Sequence, residues 1–128
     1  MSMGARLENP IIRSPKFEGE PRGMVKAKVN ADVAAAGSTV ADAAAIYPGF
    51  TEVTDADDAK GVIMQNGVPG DIYIIKVADG ADLKIYPPTG AAINALSANG
   101  AITVADDVCL MVIQKTATRF VTLPLLPS

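Results

Sequence analysis

The chain has 128 residues, of which 49% are hydrophobic but only 5% aromatic. That length suits one domain with one core, and a core of Ala, Val and other small or β-branched side chains suits thin, closely packed sheets better than large helices. With no histidine and one cysteine, the sequence excludes Ser-His-Asp and Cys-His catalysis, imidazole or multi-cysteine zinc sites and an intrachain disulfide framework.

The net charge of −3 is unevenly spread. Residues 1–30 carry six basic side chains against three acidic ones, and the rest of the chain carries five against eleven. A mildly basic arm therefore precedes an acidic body, a split that marks an interaction tail. Residues 1–23 read as that extended arm: Pro10, Pro15 and Pro21 each bias the preceding residue towards extended backbone, and its larger apolar residues are sparse. Such a segment reads either as a disordered terminus or, the reading preferred here, as one that lies along a partner with Ile11, Ile12 and Phe17 as anchors. Residues 24–128 read as a single β domain.

Within that domain Met24–Val29 alternates and predicts a half-exposed first strand. The Ala-rich stretch after it is divided by Gly37, with Ser38 or Thr39 placed to cap one short helical turn through Ala41–Ala45. Phe50–Thr54 alternates as a strand, and Asp55–Asp58 reads as a polar turn. Aligned as a calcium loop, it would place Lys60 where glycine belongs and Asn66 where the bidentate Glu belongs. From Gly61 strands and turns follow closely. Val62–Gln65 ends at Asn66-Gly67, and Pro69-Gly70 predicts the centre of a type II turn. Asp71–Val77 is apolar on both faces and is expected to be covered on both. Leu83–Tyr86, Ala92–Leu96 and Ala101–Val104 are short and turn-bounded. Val108–Ile113 is apolar on both faces, so it is central or lies at a subunit interface, with Cys109 read as a small buried hydrophobe. Arg119–Leu123 closes the sheet at Pro124.

About nine short strands with turn signals roughly every ten residues predict an all-β domain, a β-sandwich or jelly roll of antiparallel strands. No residue pattern repeats, so a solenoid is not expected. The longest apolar run, Val108–Ile113, is far too short to cross a bilayer, and the N-terminus lacks a signal-peptide core, so a soluble cytosolic product is expected. Many carboxylates sit in turns, which leaves only a glycosidase-like acid pair open. The acidic body argues against a nucleic-acid partner.

Two long stretches resemble small tailed-phage virion proteins. AAAGSTVADAAAI followed by FTEVTDADDAKGVIM is similar to their opening. ADGADLKIYPPTGAAINALSANGAITVADDVCLMVIQKTATRFVTL is similar to their closing half, with YPPTGAAINAL the most distinctive piece. The resemblance spans roughly Ala34 to Leu123 and omits the arm. It departs at Arg119-Phe120-Val121, where a larger aromatic such as Trp is expected. It implies a capsid decoration (cement) protein on the outer surface of a phage head, made in the host cytoplasm, which stabilises the shell as a homo-oligomer, a trimer in the leading reading. Its partners would be the major capsid protein and its own copies, with no nucleic acid, membrane, metal or cofactor and no catalytic residues. The alternative within virions is a tail or fibre module that binds a receptor or glycan. Arg6, Ile11, Ile12, Arg13, Phe17 and Arg22 are the expected shell contacts. Met111, Ile113 and Val121 are expected between copies, because a strand apolar on both faces has one face to spare.

Overall fold

The computed structural model describes residues 26–78 and 80–124. Ten strands are present among them: β1 (Val33–Ala34), β2 (Ala44–Ile46), β3 (Gly49–Thr54), β4 (Gly61–Met64), β5 (Ile72–Val77), β6 (Leu83–Tyr86), β7 (Ala92–Ile93), β8 (Ile102–Val104), β9 (Cys109–Thr116) and β10 (Arg119–Leu123). The described residues contain no helix, so the all-β expectation holds. The strands form two sheets, one in the order β1-β3-β5-β9-β10-β7 and one in the order β2-β4-β6-β8.

The way the chain enters these sheets corrects the antiparallel reading. From β1 to β6 successive strands alternate between the two sheets, and β1 with β3, β3 with β5, β2 with β4 and β4 with β6 pair in parallel. This is a short solenoid of coils, each contributing one strand to either layer, which corrects both the sandwich or jelly-roll expectation and the expectation that no solenoid is present. Val33 lies beside Val53 and Gly49 beside Tyr73 in the larger sheet; Ala44 lies beside Val62 and Gly61 beside Lys84 in the smaller. The repeat is thus anywhere between 18 and 24 residues long, so no fixed period shows in the sequence. After β6 the direction changes: β8 runs antiparallel to β6, and β9 and β10 form an antiparallel hairpin on β5. Strand β7 returns in parallel along the far edge of β10.

The turns that permit this winding use the residues that tolerate positive φ. Asp55, Asp58, Asn66, Asn99 and Asp107 all adopt it, as Asn and Asp do at little cost where the side chain bonds locally. Val68–Asp71 forms the predicted type II turn, with Gly70 at φ 98° and the Asp71 N–H donating to the Val68 carbonyl at 3.0 Å. The Ala-rich segment departs from expectation. Asp42 Oδ1 accepts from the Thr39 hydroxyl, the Thr39 N–H and the Ser38 N–H (2.8, 2.8 and 3.0 Å), which closes a turn rather than a helix, and Ala44 enters β2. The first predicted strand is reduced, among its described residues, to one bridge between Val29 and Phe50.

Both sheets face one core. Val53, Tyr73, Ile75, Leu110, Val112 and Phe120 from the larger sheet meet Ile46, Val62, Met64, Leu83, Ile85 and Ile102 from the smaller. The Phe120 ring stands 6.2 Å from that of Tyr73 at a tilted 55°, a favourable edge-towards-face geometry. The outer surface of the smaller sheet is covered in part: Ile63 is buried, and the nearly buried Tyr86 donates its hydroxyl to the Ser38 carbonyl at 2.5 Å.

Candidate interaction face

The outer surface of the larger sheet is different. Strand parity sends Leu110, Val112 and Gln114 inward and leaves Cys109, Met111 and Ile113 facing out. The registers carry that face across its neighbours. Phe50, Ile74, Met111 and Leu123 line up across β3, β5, β9 and β10, and Ile72, Ile113 and Val121 form a second row beside them. Ile72 and Leu123 are 41% and 51% exposed, while the others are partly exposed. Val29, bridged to Phe50, extends the first row at 73% exposure. These side chains form one contiguous apolar surface on a single sheet face, which makes it the candidate contact region among the described residues.

The next row is polar: Glu52, Lys76 and Cys109 stand side by side. Lys76 Nζ donates to Asp107 Oδ1 at 2.7 Å, and that bond holds the ammonium above its ordinary pKa and the carboxyl below its own. The apolar field is therefore bounded by a fixed charge pair. Cys109 is exposed beside it, which corrects the buried reading.

At the β3–β5 end the surface deepens into a groove of about 480 Å³. Ile72, Ile74 and Met111 line its apolar part together with Pro48, and Lys26, Lys28 and Asp71 bring charge to it. The lysine side is built into the fold. The Phe50 N–H donates to the Lys28 carbonyl at 2.7 Å, and the Asn30 N–H to the Phe50 carbonyl at 2.8 Å. Asn30 Nδ2 also reaches the Tyr47 and Pro48 carbonyls and the Thr51 hydroxyl, each at 3.2 Å. Gly49, at φ 112°, lets that segment close onto β3: a Cβ there would strike the Lys28 carbonyl.

All three residues expected between copies, Met111, Ile113 and Val121, are brought together on this face. The sequence reading missed Phe50, Ile72, Ile74 and Leu123. The signal for Ile72 and Ile74 was present in the two apolar faces of Asp71–Val77, but both were assigned to burial. The expected shell contacts Arg6, Ile11, Ile12, Arg13, Phe17 and Arg22 lie outside the described residues.

The turn carboxylates have local work. Asp57 Oδ1 accepts the Lys60 and Ala59 N–H groups at 2.8 and 3.1 Å, and those bonds lower its pKa. Asp58 Oδ1 accepts the Asp82 N–H at 2.8 Å, and Asp106 Oδ1 the Gly80 N–H at 2.7 Å. Lys60 bonds Asp55 at 3.0 Å, which raises the lysine pKa. Asp57, Asp58 and Asp106 thus hold turns closed by accepting backbone N–H groups. Among the described residues no three His, Cys, Asp or Glu side chains gather in a metal-holding group.

Compared with protein-family models, with curated proteins and with solved structures, the chain matches none.

Proposed function

We propose that this chain is a structural, self-associating β protein whose contact surface is the outer face of the larger sheet. More particularly, we read it as a capsid decoration protein. Its body packs against its own copies on the outside of a phage head, and its arm, through Arg6, Ile11, Ile12, Arg13, Phe17 and Arg22, runs onto the major capsid protein. The observation that carries self-association is the two-row apolar face in which Met111, Ile113 and Val121 meet Leu123 and Ile74. The step to a phage head rests on the resemblance described above. Many identical weak contacts repeated over a lattice make modest single-site affinity sufficient for stable coating, and a body wound from short, hydrogen-bonded coils suits a rigid clamp.

The test is head binding by the chain lacking residues 1–23. The account expects that variant to keep the oligomeric state of the full chain and to lose head binding. Undiminished head binding would remove the arm from the contact.

A further inference from the structure

The outer face of the larger sheet is laid out in bands along its strands. Its two apolar rows lie in the middle: Phe50, Ile74, Met111 and Leu123, then Ile72, Ile113 and Val121. Beyond them the surface turns charged, with opposite signs at the two ends. Where β3 and β5 finish and β9 begins stand Asp32, Glu52, Asp106 and Asp107, against one lysine, Lys76, which Asp107 holds. Where β3 and β5 begin and the β9–β10 hairpin turns stand Lys26, Lys28, Lys115 and Arg119. Asp71 is the acid lining the groove beside those lysines, and its Oδ2 accepts the Val68 N–H at 3.0 Å within the turn before β5. Four acids against one lysine at one end thus oppose four cations against one acid at the other.

A face bounded this way selects its occupant. The exposed apolar rows call for an apolar partner, and the flanking charges call for the reverse pattern, basic over the acidic end and acidic over the basic end. The same face of a second copy has that pattern once it is turned end for end. A twofold axis lying across the strands does so. It lays β9 antiparallel over β9, sets the Met111 row over the Ile113 row, and brings Lys26 and Lys28 of each copy to Asp32 and Glu52 of the other. A twofold axis along the strands would instead set acids on acids, and Lys26 and Lys28 on Lys115 and Arg119.

We infer that two copies pack face to face through the larger sheet with their strands antiparallel, related by a twofold axis that crosses the strands between the two apolar rows. The inference rests on the self-association reading and adds the geometry of the contact. Such an isologous contact closes at two copies, so the body forms pairs, and a trimer would need another surface.

Sedimentation equilibrium of the full chain, at low salt and at about 1 M salt, tests this arrangement with charge-reversed variants. Lys26→Glu/Lys28→Glu makes both ends of the antiparallel pair like-charged, so its dissociation constant at low salt should rise roughly tenfold or more. Adding Asp32→Lys/Glu52→Lys to the same chain should restore the wild-type association. At about 1 M salt charges are screened beyond about 3 Å, and the difference between wild type and the Lys26/Lys28 variant should collapse. Tighter association of Lys26→Glu/Lys28→Glu would overturn the inference, because parallel strands turn that reversal into an attraction to Lys115 and Arg119 of the other copy. Unchanged association, or wild-type assembly in threes, would overturn it too while leaving self-association standing. Thermal melting of the dissociated chains checks the fold, and the Lys26/Lys28 variant alone decides the sign should Asp32→Lys/Glu52→Lys disturb it. A wild type monomeric at every concentration would instead remove the self-association reading, and the inference with it.

Discussion

Ile113→Thr combined with Leu123→Thr tests self-association through the sheet face without attacking the fold. Threonine is β-branched and strand-compatible, and both side chains point outward, Leu123 with 51% of its surface exposed. Fully burying a Leu or Ile side chain is worth about 1.5–3 kcal/mol. The half of Leu123 still in water therefore represents about 1 kcal/mol, and the smaller exposed part of Ile113 about 0.5 kcal/mol. In a contact between two copies each substitution counts on both sides, so the loss is about 3 kcal/mol, or roughly a hundredfold in dissociation constant. Desolvating the new hydroxyls adds to it. Sedimentation equilibrium over a wide concentration range reads the change, and thermal melting of the dissociated chain checks the body. A wild-type chain that stays monomeric at every concentration would refute the reasoning, as would a double variant that associates as tightly as wild type.

Three further outcomes probe the body. Asn94→Ala removes the amide that donates to the Thr122 hydroxyl at 2.9 Å and accepts the Thr122 N–H at 3.1 Å. Because Thr122 is buried and Asn94 sits at φ 52°, denaturant unfolding should show a loss of about 2–3 kcal/mol, and a loss below 0.5 kcal/mol would contradict this closure of β7 onto β10. Gly61→Ala would set a Cβ 2.7 Å from the Tyr86 ring and 2.8 Å from the Lys84 carbonyl, so the melting temperature should fall by an amount corresponding to about 1–3 kcal/mol; an unchanged melt would mean that the smaller sheet is less tightly covered. Tyr73 should titrate late: burial, and then the Asp71 charge, push its hydroxyl to about 12, against the opposing Gly67 N–H. Its pKa is raised in the folded chain, so its contribution to stability is fully present below pH 10 and is lost as pH rises towards 12. In an ultraviolet titration of the tyrosines, a Tyr73→Phe variant should lack a component near that upper value, and loss of an ordinary component instead would contradict the buried placement.

Much of the strand layout was legible because it depends on local chemistry. Arg119–Leu123 has the predicted bounds, and the Pro69-Gly70 turn forms as its residue types require. Pairing direction was hidden, since it depends on where a strand returns rather than on what it contains. Coils of 18 to 24 residues with different side chains leave no repeat to detect. The strands Val33–Ala34 and Ala44–Ile46 were missed because they lie in a stretch dominated by alanine, the best helix former, and the Asp42 turn and the neighbouring coil override that preference. Cys109 was misplaced because Val108–Ile113 is apolar throughout and gives no alternation to fix its parity. Its inward set ends in the polar Gln114, which is 4% exposed, so even the next residue gave no help. The contact face was half legible. A strand apolar on both sides pointed to Met111, Ile113 and Val121, but only the registers show that Ile72, Ile74 and Leu123 join them.

The proposal that this chain coats a phage shell is tested most directly by the copy number of the chain, relative to the major shell protein, in purified phage particles. The account predicts a number comparable with that of the shell protein. A few copies per particle would move the chain to a vertex, tail or fibre, and its absence from particles would contradict the account altogether.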